Sequence, residues 1–182
     1  MATPAEQVLA VERAYAAAAF PGHAVPQAAS TPWARAAAGA VASHYLAVGT
    51  PRSLGLVGEA GDDTALSLAA HRTWFAPRDL RCTSAAVAAA CGGTHVSLAE
   101  VLAADIVCIH APLALGASQL RRGTHVNALA AVTLDADLAQ TATITREHGG
   151  LPALAAGLVD GRQLDEITVF LLDDAAYAAG AL

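Results

Sequence analysis

The chain contains no lysine; all ten of its basic residues are arginine. Schiff-base chemistry, lysine nucleophiles and the phosphate-binding lysine of a P-loop are therefore excluded together. Cysteine is scarce as well. Cys82, Cys91 and Cys108 have no CxxC spacing and each lies in an apolar stretch, a pattern of reduced thiols in the cytoplasm rather than of a disulfide framework or a zinc motif. Charged residues make up 14% of the chain, the net charge is −6, and no run of positive charge occurs, so the electrostatic footprint of a nucleic-acid or anionic-membrane binder is missing. No apolar run reaches the length of a bilayer span, and Glu6 and Glu12 stand where a leader peptide carries basic residues. The expectation is a cytoplasmic protein that neither enters a membrane nor binds nucleic acid.

What is abundant is apolar: 55% of the 182 residues are hydrophobic, enough for one ordinary domain with its own core. About a quarter are alanine, which favours helix but supplies little buried area, so helices should pack closely through thin interfaces. Residues 4–19 read as a helix, the stretch from Pro21 to Pro32 breaks it, and Trp33 to Ala47 resumes it, giving a helical preface over residues 1–50.

From Ser53 onward short apolar runs alternate with helical patterns. Strands are expected at Leu54–Val57, Asp79–Thr83, His95–Ser97, Asp105–His110, Thr124–Ala128, Ala142–Thr145 and Ile167–Leu172, with helices at 61–74, 84–91 and 98–103. Ile167–Leu172 is apolar enough to be buried on both faces. The fold class is α/β over residues 51–182: a Rossmann-like, open, mostly parallel sheet of five to seven strands, with helices on both faces.

The run Leu54-Gly-Leu-Val-Gly58-Glu-Ala-Gly61 has the form of a strand entering a dinucleotide-binding turn. With the lead-in AAAGAVASHYLA at 36–47, RRGTHVNALAA at 121–131 and LDEITVF at 164–170, it resembles the ornithine cyclodeaminase, mu-crystallin and archaeal alanine dehydrogenase family over roughly residues 34–172. The resemblance implies a nicotinamide-binding Rossmann domain. It also implies proteins nearly twice this length, whose further half supplies substrate residues and a dimer surface.

Several positions depart from the family's pattern. Its substrate-binding Arg falls at Ala34, with Arg35 one residue beyond, and no lysine replaces its substrate Lys. Val132 stands where cyclodeaminases carry an Asp proposed to move protons, and a valine cannot do so. In the phosphate turn Gly58 keeps the tight bend, but Ala60 and Asp63 occupy glycine positions, flanked by Glu59 and Asp62. Such carboxylates oppose a phosphate, although Asp62 and Asp63 also read as helix N-caps. The second strand ends in Cys82, Thr83 and Ser84 rather than in a ribose-binding acid, and Arg81 reads as a solvated edge charge.

These residues point first to a catalytically inactive, cyclodeaminase-like accessory protein, with no catalytic residue, no metal and no cofactor. It would bind a peptide or protein partner, a second copy of itself included. Its ligand-binding candidates are Arg35, Gly58, Gly61, His110 and Asn127. His110 earns its place by ending a central strand just before Pro112, and Asn127 shares a strand face with His125. The alternatives are an NAD- or NADP-dependent oxidoreductase or cyclodeaminase acting on an amino acid, and a structural subunit of a larger complex. Asp173 and Asp174 are expected to cap a final helix.

Overall fold

The computed structural model describes residues 2–28, 31–59, 63–161 and 165–172. Helix α1 (Pro4–Ala18) starts at a capping box: the Thr3 hydroxyl accepts from the Glu6 N–H, and the Glu6 carboxylate accepts from the Thr3 N–H at 2.7 Å. Helix α2 (Pro32–Leu46) starts at Thr31, whose hydroxyl accepts from the Ala34 N–H at 3.0 Å, with Pro32 at the first helical position. The small residues of α2 from Ala36 to Ser43 are all buried, the close packing that an alanine-rich face permits.

The chain then alternates through β1 (Ser53–Val57), α3 (Thr64–His71), β2 (Asp79–Cys82), α4 (Ala85–Cys91), β3 (Thr94–His95), α5 (Leu98–Leu102) and β4 (Ile106–Ile109). It continues through β5 (Leu113–Leu115), β6 (His125–Ala128), β7 (Val132–Leu134), α6 (Ala136–Thr141), β8 (Thr143–Arg146), α7 (Leu151–Ala155) and β9 (Thr168–Leu171). Seven strands form one open sheet in the order β3-β2-β1-β4-β6-β9-β8, every pair parallel. This is the expected α/β, Rossmann-like sheet, and all seven expected strands are in it.

Three details differ from expectation. The short strands β5 and β7 pair with each other in a second, two-stranded parallel sheet that contains Val132. Helices α6 and α7 are additional. Helix α3 runs only from Thr64 to His71, and the capped helix expected after Asp173 lies outside the described residues.

Successive strand residues point to opposite faces, and the two faces are filled differently. Leu54, Leu56, Ile106, Cys108 and Phe170 face a core shared with α1, α2, α3, α4 and α7. Val57, Val107, Ile109, Val126, Ala128, Val169 and Leu171 face a second core with α5, α6 and the small sheet. Helix α5 approaches β1 so closely that a Cβ on Gly55 would lie 2.5 Å from the Val101 carbonyl oxygen. At the amino ends of the strands Asp105 Oδ2 accepts from the Arg52 and Ser53 N–H groups and the Ser53 hydroxyl, each at 2.8 Å.

The helical preface is joined to the sheet by a buried carboxylate. Glu147, just past β8 and 2% exposed, accepts on Oε1 from the Tyr15 hydroxyl at 2.8 Å and from the Ala28 N–H at 2.7 Å. Large apolar side chains do reach solvent among the described residues, at Leu9, Phe20, Leu158 and Val159.

Candidate functional site

In an open α/β sheet, ligands are received outside the carboxyl ends of the strands where the strand order reverses. Here that point lies between β1 and β4, because β2 and β3 extend the sheet one way and β6, β9 and β8 the other. Gly58 follows β1 and His110 follows β4. The His110 N–H donates to the Val57 carbonyl at 2.8 Å, which holds the two strand ends side by side, and His110 Nε2 lies 3.0 Å from the Ser67 hydroxyl of α3. His110 is half-buried on this rim.

The end of β2 folds over the same turn. Thr83 Oγ1 accepts from the Gly58 N–H at 3.2 Å and lies 3.4 Å from the Gly58 carbonyl. A hydroxyl that braces the turn thus stands where an acid would take ribose hydroxyls. Arg81, expected as a solvated edge charge, is partly exposed and also pairs with Asp79 at 2.6 Å and donates to the Glu100 carbonyl at 2.9 Å.

Asp63 sits at the N-cap position of α3, but its side chain makes no capping bond. Instead Asp63 Oδ2 lies 3.4 Å from Arg35 Nε in the first turn of α2. The two residues, weighed separately in the sequence, are neighbours, and the guanidinium offsets the carboxylate that would have repelled a phosphate. Gly61 and Asp62 lie outside the described residues.

Asn127, expected beside a ligand surface with Arg35, is instead fully enclosed beneath α2 and α3. Its position belongs to a polar cluster that the sequence did not announce: Ser43 from α2, Ser67 and His71 from α3, Cys108 from β4, His125 and Asn127 from β6, and Thr168 from β9. The hydrogen positions follow from the chemistry. A carbonyl can only accept, so His71 Nδ1 donates to the Ser67 carbonyl at 2.7 Å, and Nε2 accepts from the Ser43 hydroxyl at 2.9 Å. Ser43 Oγ in turn accepts from Asn127 Nδ2 at 2.8 Å. That leaves Asn127 Oδ1 to accept from His125 Nε2 at 3.1 Å, and His125 Nδ1 to accept from the Thr168 hydroxyl at 2.8 Å.

Burial pushes His71 down to about 4 and His125 to about 3, so both imidazoles are neutral. Burial also pushes the Cys108 thiol up to about 12 and that of Cys82 to about 11, which leaves both as protonated core groups rather than nucleophiles. Among the described residues no group of three or more His, Cys, Asp or Glu side chains could hold a metal ion. Also among them, no helix is long and apolar enough to cross a membrane.

No family model matches this chain, and no curated protein sequence does. Solved structures do. An archaeal alanine dehydrogenase dimer with bound NAD superimposes with a TM-score of 0.67 at 21% identity, over 78% of this chain and 58% of that one. The iminosuccinate reductase of Paracoccus denitrificans in complex with NAD+ gives 0.65 at 24% identity, over 81% and 59%. A lysine cyclodeaminase gives 0.63 at 22% identity, over 77% and 53%. The fold is that of the alanine dehydrogenases and cyclodeaminases. These are the proteins whose motifs the sequence resembles, and the chain spans under three-fifths of the length of each.

A dinucleotide's phosphates find a partial fit among the residues present. Gly58 offers a side-chain-free approach at the end of β1, and Arg35 brings a cation to the amino end of α3, where the helix dipole already favours an anion.

Proposed function

We propose that the chain binds a nicotinamide dinucleotide in the crevice between the carboxyl ends of β1 and β4. Its functional relatives are then the oxidoreductases and cyclodeaminases that act on amino acids. The observation that carries this reading is the point of strand reversal itself: Gly58 and His110 flank it, in a fold whose solved neighbours include two proteins with NAD bound. In this reading Gly58 leaves room for the pyrophosphate, Arg35 offsets Asp63, and His110 stands on the rim toward the reacting end. When bound, the dinucleotide would supply hydride transfer. The chain's own residues would bind and orient it and keep water from its inner edge.

A second reading, binding without turnover, is favoured by two specific features. Val132, where an acid would exchange protons, is enclosed in the β5–β7 sheet. The chain also has no lysine to orient a substrate carboxylate. On this reading the protein is an inactive relative that serves a peptide, a protein or a second copy of itself, in the cytoplasm.

Calorimetry with NADH and NADPH tests the first reading. It expects saturable binding, with a dissociation constant between roughly 10 μM and 1 mM given the acidic residues Glu59 and Asp62 around the turn. Absence of heat at millimolar dinucleotide would contradict it. Incubation with ornithine, lysine or alanine and NAD separates the two readings: ammonia release above buffer sinks binding without turnover.

A further inference from the structure

Arg35 and Asp63 meet in an arrangement that satisfies neither of them. An aspartate at an N-cap ordinarily accepts a bond from the helix backbone, yet Asp63 makes none. A guanidinium beside a carboxylate ordinarily gives it directed N–H···O bonds. Here Arg35 Nε stands 3.4 Å from Asp63 Oδ2, but its N–H is buried without any hydrogen-bond partner. The charges are in contact while the Nε donor is unspent. Both side chains are partly exposed, at 31% and 23%, while Arg35 Nε itself is buried. The pair also sits at the positive end of α3.

Resting on the dinucleotide reading above, we infer that Asp63 is an internal stand-in for a phosphate oxyanion, held against Arg35 until an incoming pyrophosphate displaces it. Asp63 thus limits affinity, and Arg35 is the residue that binds the phosphate. A phosphate group is a better match than Asp63 for this guanidinium, because its several oxygens can accept paired N–H bonds that Asp63, fixed at the helix cap, does not take.

The test uses the full chain with Asp63→Asn, Arg35→Met and the double variant, each titrated calorimetrically at low salt with inorganic pyrophosphate and, separately, with NADH. Asparagine serves an N-cap as well as aspartate does, so the fold is retained. Asp63→Ser is the replacement should the first variant melt more than a few degrees below wild type. The expected result is that Asp63→Asn binds pyrophosphate about tenfold or more tightly than wild type. Arg35→Met should weaken binding, and the double variant should show no gain over Arg35→Met alone. NADH should follow the same ranking. A gain with pyrophosphate but none with NADH upholds the displacement and rejects the dinucleotide reading. If Asp63→Asn gains nothing with pyrophosphate, or the gain persists in the double variant, the displacement is overturned whatever NADH does.

Discussion

The two faces of the seven-stranded sheet are held by different physics. Beneath α5, α6 and the small sheet, Val107, Ile109, Val126, Ala128, Val169 and Leu171 fill space with aliphatic side chains that have no preferred partner. Beneath α2 and α3, by contrast, Ser43, His71, Asn127, His125 and Thr168 form a continuous chain of hydrogen bonds, with the Thr168 hydroxyl also 3.2 Å from the Leu46 carbonyl. Aliphatic packing tolerates exchange of one side chain for another of similar volume. A satisfied buried network specifies a single arrangement and fails sharply when one member is lost or charged. The rim of the crevice belongs to the second face, since Ser67 connects α3 both to His71 within and to His110 at the edge. The proposed dinucleotide rim therefore rests on the layer held by hydrogen bonds.

The largest expected contrast between the faces is with pH, because only one of them titrates. His71 and His125 are neutral in the fold, with pKa values lowered to about 4 and about 3 against an ordinary 6.5. Below about pH 6.5 the unfolded chain takes up two protons that the folded one does not. Stability is therefore full above that pH and is lost as the pH falls toward the folded values, by roughly 2–3 kcal/mol per pH unit near pH 5. Urea melts between pH 7 and pH 4.5 measure the slope, and His125→Gln should reduce it by about half. A flat profile across that range would mean that the two imidazoles are not enclosed as described.

Next in size is a substitution on the aliphatic side. Gly55→Ala puts a methyl group 2.5 Å from the Val101 carbonyl oxygen and 2.9 Å from Val101 Cγ1, so α5 must move off the sheet. Denaturant melts should show a loss of about 3 kcal/mol or more. On the polar face, Asn127→Ala removes both bridging groups of the network and should cost about 2–3 kcal/mol, more than the truncation of a small aliphatic residue opposite. If Asn127→Ala and Val126→Ala cost the same, the two faces do not differ in the way proposed. The smallest effect is expected at Gly39→Ala in α2. Its new methyl would meet the Leu129 side chain at 3.3 Å, offset by alanine's better helix propensity of about 1 kcal/mol, for a net change within about 1 kcal/mol.

Much of this layering can be read from residue order. Six of the seven strands of the main sheet carry runs of four or more residues with clear breaks, β3, two residues long, is marked instead by its place in the strand–helix alternation, and the alternation of His125 and Asn127 shows that they share a face. Strands β5 and β7 escape such reading because three residues are too few to show a period, and α6 and α7 because helices of six and five residues barely complete a turn. The polar cluster is invisible for another reason. Asn127 meets Ser43 across 84 residues of chain, and nothing local in the helix around Ser43 announces a partner. Likewise Arg35 stands out alone as a ligand candidate and Asp63 alone as a helix cap, while their contact depends on how α2 lies over α3. Glu147 gave no signal at all, because a glutamate in a surface-like turn between β8 and α7 resembles any solvated loop residue.

The most direct test of the central claim follows the histidine rings by NMR while NADH is added. Binding between β1 and β4 requires the His110 ring signals to move, saturating with dinucleotide concentration. Those of His71, protonated on Nδ1, and His125, protonated on Nε2, should hold their positions in the closed layer beneath. If His110 does not respond at millimolar NADH, or if the two enclosed rings shift as far as it does, the crevice is not the site.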